Sequence, residues 1–357
     1  SLWSEGPAFA EILSNTDGKL LREADALLRA LEHATGRIQP DMLVIAGDLT
    51  FNGARRSHEL IAEALARIEA AGVPVFVIPG NHDISNPWAR RFTGREARPV
   101  EHVDPAEFQR IYGAFGYNDA SAAHPESLGY MARPVPGLRL AMIDSNRYER
   151  NLDRGYPEAR GTVSRSQARW LENRLEEARR AGDAVLPVMH HSLLAHGSAG
   201  DRRPFGASWI DMWPRFARLF WDYGAPVVLT GHVHQQDVAG LRGERGEWIY
   251  DVATDDLASY PHRFRVATIT ADQRLELRNG RLAPADFAGP GSAGAAFLAA
   301  SRTRARQAGG DGYGGGTRDD TPPAGNDLAI NLRSGRWVST PCHEGQGSLI
   351  RVPCVGP

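Results

Sequence analysis

Short apolar runs alternate with amphipathic helical patterns over most of the chain, and this alternation constrains the fold more than any other feature. The runs with the length of buried strands are 42–46, 75–78, 138–143, 185–189 and 227–230. Apolar residues recur at helical spacing over 19–35, 57–71, about 164–181 and about 211–223. Because such runs suit strands that are covered on both faces, the pattern predicts an α/β fold with a largely parallel sheet.

The rest of the chain divides by composition and periodicity. Residues 248–279 contain consecutive strand patterns, which predict an antiparallel portion, and residues 84–135 lack periodicity and are predicted to form an insertion. We therefore predict one domain over 1–287, a Gly/Ala/Pro-rich linker over 288–325 that has room for a short helix near 295–307, and a C-terminal tail over 326–357. In the tail, Cys342 and Cys354 either pair across a short loop or stay as two free thiols.

Polar residues follow each of the five predicted strands. These segments are Gly47-Asp48, Gly80-Asn81-His82-Asp83, Asp144-Ser145-Asn146, His190-His191 and Gly231-His232-Val233-His234. In open α/β sheets, ligands bind outside the carboxyl ends of the strands. The five segments are therefore predicted to converge on one crevice.

Carboxylate, amide oxygen and imidazole are ligands that suit Mn²⁺, Fe or Zn²⁺, and no thiolate is among them. Each segment alone also has an ordinary interpretation. Asp48 could be a turn or helix-cap residue, and His190 could be a core histidine bonded to backbone. The ordered combination, with Gly80-Asn81-His82-Asp83 as its most specific part, predicts a divalent metal site.

Charge and hydropathy exclude several partners. The formal net charge of −2 gives no electrostatic footprint for a nucleic-acid polymer or an anionic membrane, and no apolar run approaches the ~20 residues of a membrane span. Lys19 is the only lysine among 41 basic residues, a bias that we attribute to a GC-rich genome rather than to a binding site. No signal-peptide pattern follows Ser1, although an upstream leader stays an open alternative.

The ordered motifs resemble the calcineurin-like metallophosphoesterase superfamily. Its motifs run Asp-x-His, Gly-Asp, Gly-Asn-His-Asp or -Glu, a lone His and Gly-His-x-His, and four of these five occur here in order. Residues 80–92, 115–117 and 255–262 are most similar to a secreted Gram-positive (Listeria-type) branch of cyclic-nucleotide phosphodiesterases. The resemblance covers roughly residues 1–280. It implies a four-layer α/β/β/α sandwich of two mixed sheets and an extracellular or cell-envelope location.

The resemblance also implies a role for each matching residue. Asp48 would bridge two divalent ions (Mn, Fe or Zn); Asn81, His190 and His232 would complete the ligand set of one ion, and His234 would bind the other. His82 would contact the phosphate and protonate the leaving oxygen, and Asp83 would orient His82. His191 is expected to pack rather than ligate. Asp144 and Asn146 would support the site or form an ordinary strand-end turn. The implied activity is hydrolysis of a small-molecule phosphodiester, most specifically a cyclic nucleotide, by a metal-activated hydroxide.

The fifth motif, Asp-x-His, occurs nowhere in the chain. In the family it ends the first strand, before the region that matches Ser1 and Leu2. We therefore expect the first strand to be missing and the strand beside it to be unpaired. We also expect the second ion to be bound more weakly, because Asp48 and His234 would be its only protein ligands. Truncation is the favoured hypothesis. The alternative to truncation is real loss of the motif in an evolved pseudoenzyme. The alternatives to a phosphodiesterase are a phosphomonoesterase or nucleotidase, or a catalytically impaired single-metal phosphate-binding fragment.

Overall fold

The structure is a computed structural model, and it describes residues 4–14, 16, 18–196, 208–270, 274–287, 291–307, 328–331 and 350–355. The helices are α1 (Pro7–Ser14), α2 (Ala24–Ile38), α3 (Arg55–Ala70), α4 (Pro105–Ile111), α5 (Asn151–Arg154), α6 (Arg165–Ala181), α7 (Trp213–Asp222) and α8 (Gly291–Gln307). The strands are β1 (Ser4–Glu5), β2 (Leu43–Ile45), β3 (Val75–Val77), β4 (Arg90–Thr93), β5 (Glu96–Pro99), β6 (Ala122–Ala123), β7 (Tyr130–Val135), β8 (Leu138–Ile143), β9 (Ala184–Met189), β10 (Val227–Thr230), β11 (Asp237–Arg242), β12 (Trp248–Ala253), β13 (Arg263–Ile269), β14 (Arg274–Arg281), β15 (Leu328–Asn331) and β16 (Ile350–Val355).

Two large sheets carry most of these strands. One has the order β11-β12-β10-β9-β8-β7-β6 and the other the order β15-β14-β13-β16-β2-β3, while β1, β4 and β5 form a small third sheet. Neighbours among β8, β9, β10 and β12 are parallel, as are β2 and β3. The five strands predicted from continuous apolar runs are confirmed, and their parallel pairing explains why these runs are apolar on both faces.

The layers follow from which face each strand residue buries. Leu140 and Met142 of β8 join the core that also contains β2, β3, α2 and α3. Their neighbours Ala141 and Ile143 point the other way, into a second core with α6 and α7. Alternating side chains thus bury both faces of the sheet. The predicted four-layer α/β/β/α arrangement of two mixed sheets is confirmed.

The expectation of an unpaired strand next to a missing first strand is wrong for the described residues. β2 lies between β3 and β16, and β16 runs parallel to it with Cys354 opposite Val44 and Val355 opposite Ile45. An open strand edge leaves backbone N–H and C=O groups unpaired, so pairing with β16 satisfies groups that would otherwise lack partners. The partner comes from the predicted tail, and Cys342 lies outside the described residues.

Two other segments differ from the sequence-based expectations. β12 is not part of an antiparallel series with β13, because it pairs in parallel with β10 in the seven-stranded sheet, whereas β13 and β14 are antiparallel as predicted. The last residues of the predicted 84–135 insertion form β7, which pairs with β8. Within the predicted 288–325 linker, helix α8 covers the region near 295–307 where the sequence has room for a short helix. The limits of the predicted domains stay predictions. Of the helices described, none combines the length and apolar character needed to cross a bilayer.

Candidate metal centre

The polar segments after four strands meet where the carboxyl ends of the two large sheets approach each other. Asp48 and Asn81 follow β2 and β3, and His190 and His232 follow β9 and β10. The Asn81 Oδ1 atom lies 3.0 Å from His190 Nε2 and 3.1 Å from His232 Nδ1. His190 Nε2 lies 3.1 Å from His232 Nδ1 and 3.4 Å from Asp48 Oδ2. The structure therefore brings four of the five predicted metal ligands into contact.

These separations fit a shared cation. Ligand atoms ~2.1 Å from an ion lie ~3.0 Å apart at octahedral angles and ~3.4 Å apart at tetrahedral angles. His190 Nδ1 donates to the carbonyl of Ala46 at 2.8 Å, which leaves the lone pair of Nε2 directed at the other ligands. Several acceptor atoms so close together repel one another unless a proton or a metal ion lies between them. The donor set is thus suited to a borderline divalent ion.

The electrostatics keep two of the imidazoles neutral, which a metal ligand must be. Burial lowers the pKa of His232 far below its usual value, and burial together with the charge of Lys19 lowers the pKa of His234 to about 3. Burial acts in the same direction on His190, but the Asp48 carboxylate more than offsets it and the pKa of His190 is raised. Burial would raise the pKa of Asp48, and His190 and His82 hold it well below its usual range instead.

Three of the predicted ligands have left-handed backbone. The φ angles are 49° at Asp48, 62° at His232 and 48° at His234. Such angles cost non-glycine residues of order 1 kcal/mol each and cluster at functional sites. Nearby glycines permit the close approach: a Cβ on Gly47 would lie 2.7 Å from His190 Nδ1, and one on Gly80 would overlap Asp48. The left-handed backbone and the glycines of these loops therefore allow the predicted ligands to come close together.

His82 lies at the rim of this cluster, half-buried, beside two exposed aromatic rings. Its Nδ1 donates to the carbonyl of Phe51 at 2.7 Å, so Nε2 is the ring nitrogen left to exchange a proton with a bound molecule. The ring stacks on Phe51 with centroids 6.1 Å apart and contacts Trp88 at 6.4 Å. The backbone N–H of His82 donates to Asp48 Oδ1 at 2.9 Å, which ties the rim to the ligand cluster.

The expectation that Asp83 orients His82 is wrong. The buried Asp83 carboxylate accepts hydrogen bonds from the backbone N–H groups of Leu49, Thr50 and Gly80 at 2.8–3.0 Å, and from the Thr50 hydroxyl at 3.0 Å. These four donors occupy both carboxylate oxygens. Asp83 therefore joins the loop after β2 to the loop after β3, and the Phe51 carbonyl holds the His82 ring.

His234 contacts a different pair of residues from the other predicted ligands. Lys19 Nζ lies 3.2 Å from His234 Nδ1, and Asp256 Oδ2 lies 3.8 Å from the same atom. Sequence reasoning assigned no role to Lys19 or to Asp256. Two features could have pointed to these residues. Lys19 is the only lysine of the chain, and Asp256 comes just after β12, at the same edge of the sheet as the other polar segments.

Three further predicted residues brace the cluster. His191 Nδ1 and Ser145 Oγ form a 2.9 Å hydrogen bond, and the His191 ring packs with its centroid 4.5 Å from that of His232. Asn146 Nδ2 donates to the carbonyl of Pro79 at 2.7 Å and to Asp144 Oδ1 at 3.0 Å. These contacts support the segment that leads from β3 to Asn81.

The segment that forms this cluster matches a known protein family. Residues 22–236 match the model of the calcineurin-like phosphoesterases. The chain belongs to the calcineurin-like phosphoesterase family. The matched segment, more than half of the chain, contains every predicted metal ligand together with His82 and Asp83. This is a family of metallophosphoesterases, which are hydrolases.

Individual relatives are more distant. A probable cyclic nucleotide phosphodiesterase of Synechococcus sp. is 24% identical over 202 residues, which cover 56% of this chain and 60% of that protein. A probable glycerophosphodiester phosphodiesterase GpdQ of Arcobacter nitrofigilis is 37% identical over 54 residues, 15% of this chain and 19% of that protein. The chain thus matches less than two thirds of either relative's length. The crystal structure of a dimetal phosphatase from Danio rerio aligns with a TM-score of 0.51 and 16% identity, covering 74% of this chain and 88% of that one, which shows the shared fold. The closeness to a Listeria-type branch stays a prediction.

Proposed function

We propose that this calcineurin-like phosphoesterase hydrolyses phosphodiesters, with cyclic nucleotides as the substrate class. The observation that carries the proposal is the convergence of Asp48, Asn81, His190 and His232 within 3.0–3.4 Å. A divalent ion held there, Mn²⁺, Fe or Zn²⁺, would polarise a phosphoryl oxygen and make water nucleophilic. The two curated relatives are named as phosphodiesterases of different substrates, which supports the diester bond as the common element.

His82 is the proposed proton donor to the leaving oxygen. The Phe51 carbonyl holds its Nδ1 proton, and the ring orientation that results presents Nε2 at the rim of the ligand cluster. A proton donor must lie within hydrogen-bond reach of the atom that it protonates, and the hydrogen bond from the His82 backbone N–H to Asp48 Oδ1 keeps the residue beside the cluster.

Two aromatic side chains support a nucleotide over a smaller alcohol as the esterified group. Phe51 is 38% exposed and Trp88 46% exposed, and both rings contact His82. The Trp88 Nε1–H donates to the carbonyl of Gly155 at 3.1 Å, so the indole is held in place while much of its surface stays accessible. Stacking of a base on such a ring is worth ~1–3 kcal/mol, whereas glycerol has no ring to stack.

The first test is hydrolysis of bis(p-nitrophenyl) phosphate in the presence of Mn²⁺. Asn81→Ala removes a ligand oxygen, and we expect it to abolish turnover, whereas Asn173→Ala, an exposed asparagine on α6, should leave the rate unchanged. No turnover by folded wild-type protein, or equal turnover by Asn81→Ala, would overturn the proposed function.

The second test separates substrate classes. Trp88→Leu is expected to raise KM for a cyclic nucleotide about tenfold and to leave KM for a glycerophosphodiester unchanged, since only the base has a face to stack. A Trp88→Leu variant with unchanged KM for cyclic nucleotides would contradict the substrate class. Faster hydrolysis of a nucleoside monophosphate than of any diester would favour the phosphomonoesterase alternative.

A further inference from the structure

The only lysine of the chain lies beside the candidate metal centre. Lys19 Nζ is 3.2 Å from Nδ1 and 3.5 Å from Nε2 of His234, and 3.4 Å from Asp256 Oδ2. His234 is two residues from the predicted ligand His232, and its imidazole is close enough to His232 and Asp48 for their charges to interact, so the ammonium group lies on that side of the cluster. Lys19 and His234 are 215 residues apart in the sequence, so no local sequence pattern predicts their contact.

The surrounding structure fixes this ammonium group in position. The Asp256 side chain is fully buried and is itself held by the backbone N–H and the hydroxyl of Ser259, at 2.6 and 2.9 Å. The Lys19 N–H donates to the carbonyl of Thr16 at 3.0 Å, and the next residue donates to the carbonyl of Ala258 at 2.8 Å. A long side chain that is anchored at both ends loses less entropy when it binds a ligand, because it is already ordered.

One donor of the ammonium group is left for a ligand. An ammonium has three N–H donors, and contacts with His234 and Asp256 use two of them among the residues that the structure describes. The Lys19 side chain is 17% exposed, so solvent reaches it, whereas its carboxylate partner is fully buried. An anion at the metal centre could therefore accept the third hydrogen bond without displacing either partner.

The choice of residue also points to a specific role. All other basic residues of the chain are arginine. A guanidinium is a wide planar fork, whereas an ammonium is a compact point charge that fits between an imidazole and a carboxylate. The compact ammonium therefore suits the gap between the His234 imidazole and the Asp256 carboxylate, and lysine stands at this position although every other Lys/Arg position holds arginine.

We propose that Lys19 is an anion-binding residue of the active site, which contacts a phosphoryl oxygen of the substrate on the His234 side. Its ammonium group supplies a positive charge there, and Asp256 positions it. The identity of the substrate rests on the proposed function, but the binding of a phosphoryl anion does not, so inorganic phosphate is a sufficient probe.

The first experiment uses the uniqueness of the lysine. The wild-type protein is treated with an amine-reactive acetylating ester, and mass spectrometry follows acetylation of Lys19 and of the amino terminus, which is the internal control. Mn²⁺ plus inorganic phosphate is expected to slow acetylation of Lys19 severalfold and to leave the amino terminus unchanged. An unchanged Lys19 rate would overturn the proposal. Equal slowing by Mn²⁺ alone would overturn it too, since the ammonium would then respond to the metal and not to the anion.

The second experiment uses variants. Lys19→Met removes the charge at similar length and is expected to weaken inhibition by inorganic phosphate about tenfold, the loss of one charged hydrogen bond, with unchanged Mn²⁺ content. Lys19→Arg keeps a positive charge and should therefore retain part of the inhibition by inorganic phosphate. Arg22→Met removes a charge three residues away, where the guanidinium lies 5.7 Å over the Phe9 ring, and should have no effect. Unchanged phosphate inhibition in Lys19→Met would overturn the proposal. If acetylation is phosphate-sensitive but no diester is hydrolysed, Lys19 binds the anion and only the proposed function fails.

Discussion

The segment after His190 carries a histidine with a buried side chain, whose protonation should control stability. His196 Nδ1 lies 2.9 Å from Asp237 Oδ2, and Nε2 lies 3.3 Å from Asp251 Oδ1. Asp251 also accepts hydrogen bonds from the backbone N–H groups of Leu193 and Leu194. Burial lowers the pKa of His196, but Asp251 and Asp237 more than offset it and raise the pKa from 6.5 to about 9. The loop is therefore held by a histidine that is charged at neutral pH.

The size of the effect follows from linkage. The folded state keeps the His196 proton up to about pH 9, whereas the unfolded chain loses it near its usual pKa of about 6.5. The difference of about 2.5 between these pKa values corresponds to about 3 kcal/mol, at 1.36 kcal/mol for each pKa unit. This contribution is fully present below about pH 6.5 and is lost as the pH rises to about 9, because the folded state binds more protons in that window.

The perturbation is His196→Asn, which keeps a donor for Asp237 and cannot titrate. Urea unfolding of the wild type and the variant is followed by tryptophan fluorescence in EDTA, so that metal binding adds no pH dependence of its own. The unfolding free energy of the wild type should exceed that of His196→Asn by a larger margin at low pH. We expect this margin to be about 3 kcal/mol greater at about pH 6 than at about pH 9.5. A stability difference that stays constant within about 0.5 kcal/mol over this range would refute the assignment of a charged, buried His196.

Two further predictions concern the loops of the metal centre. Asp83→Ala leaves three buried backbone N–H groups without their acceptor and should lower the free energy of unfolding by about 3 kcal/mol or more, measured in urea. A loss below about 1 kcal/mol would contradict its role in joining the two loops. Gly80→Ala places a Cβ against the backbone N and carboxylate of Asp48 and should abolish Mn²⁺ binding in calorimetry, whereas Gly36→Ala has open space and should bind normally. Equal Mn²⁺ affinity in the two glycine variants would contradict the close approach of the loops.

Local features of the sequence were enough to predict the strands of the core and the residues that meet at the candidate metal centre. Burial on both faces makes β2, β3, β8, β9 and β10 largely apolar, with Arg139 and Thr230 as the exceptions, and this pattern can be read from neighbouring residues along the chain. Because parallel strands present their carboxyl ends at a common edge, Asp48, Asn81, His190 and His232 could be expected to meet before any contact was known. Asp256 was missed because β12 was predicted to belong to an antiparallel portion, whereas it runs parallel to β10 and ends at that same edge.

Only the tertiary structure decided how these residues are held. The carbonyl of Ala46 selects the His190 tautomer, and the carbonyl of Phe51, not Asp83, holds His82. The pairing of β16 with β2 and the contact of Lys19 with His234 join segments that are hundreds of residues apart. A hydrogen bond between distant segments leaves no periodicity in either of them, because periodicity records the average burial of a face and not the identity of a partner. The sequence alone therefore determines which residues reach the edge of the sheets, and the packing of the two sheets decides what each of them contacts there.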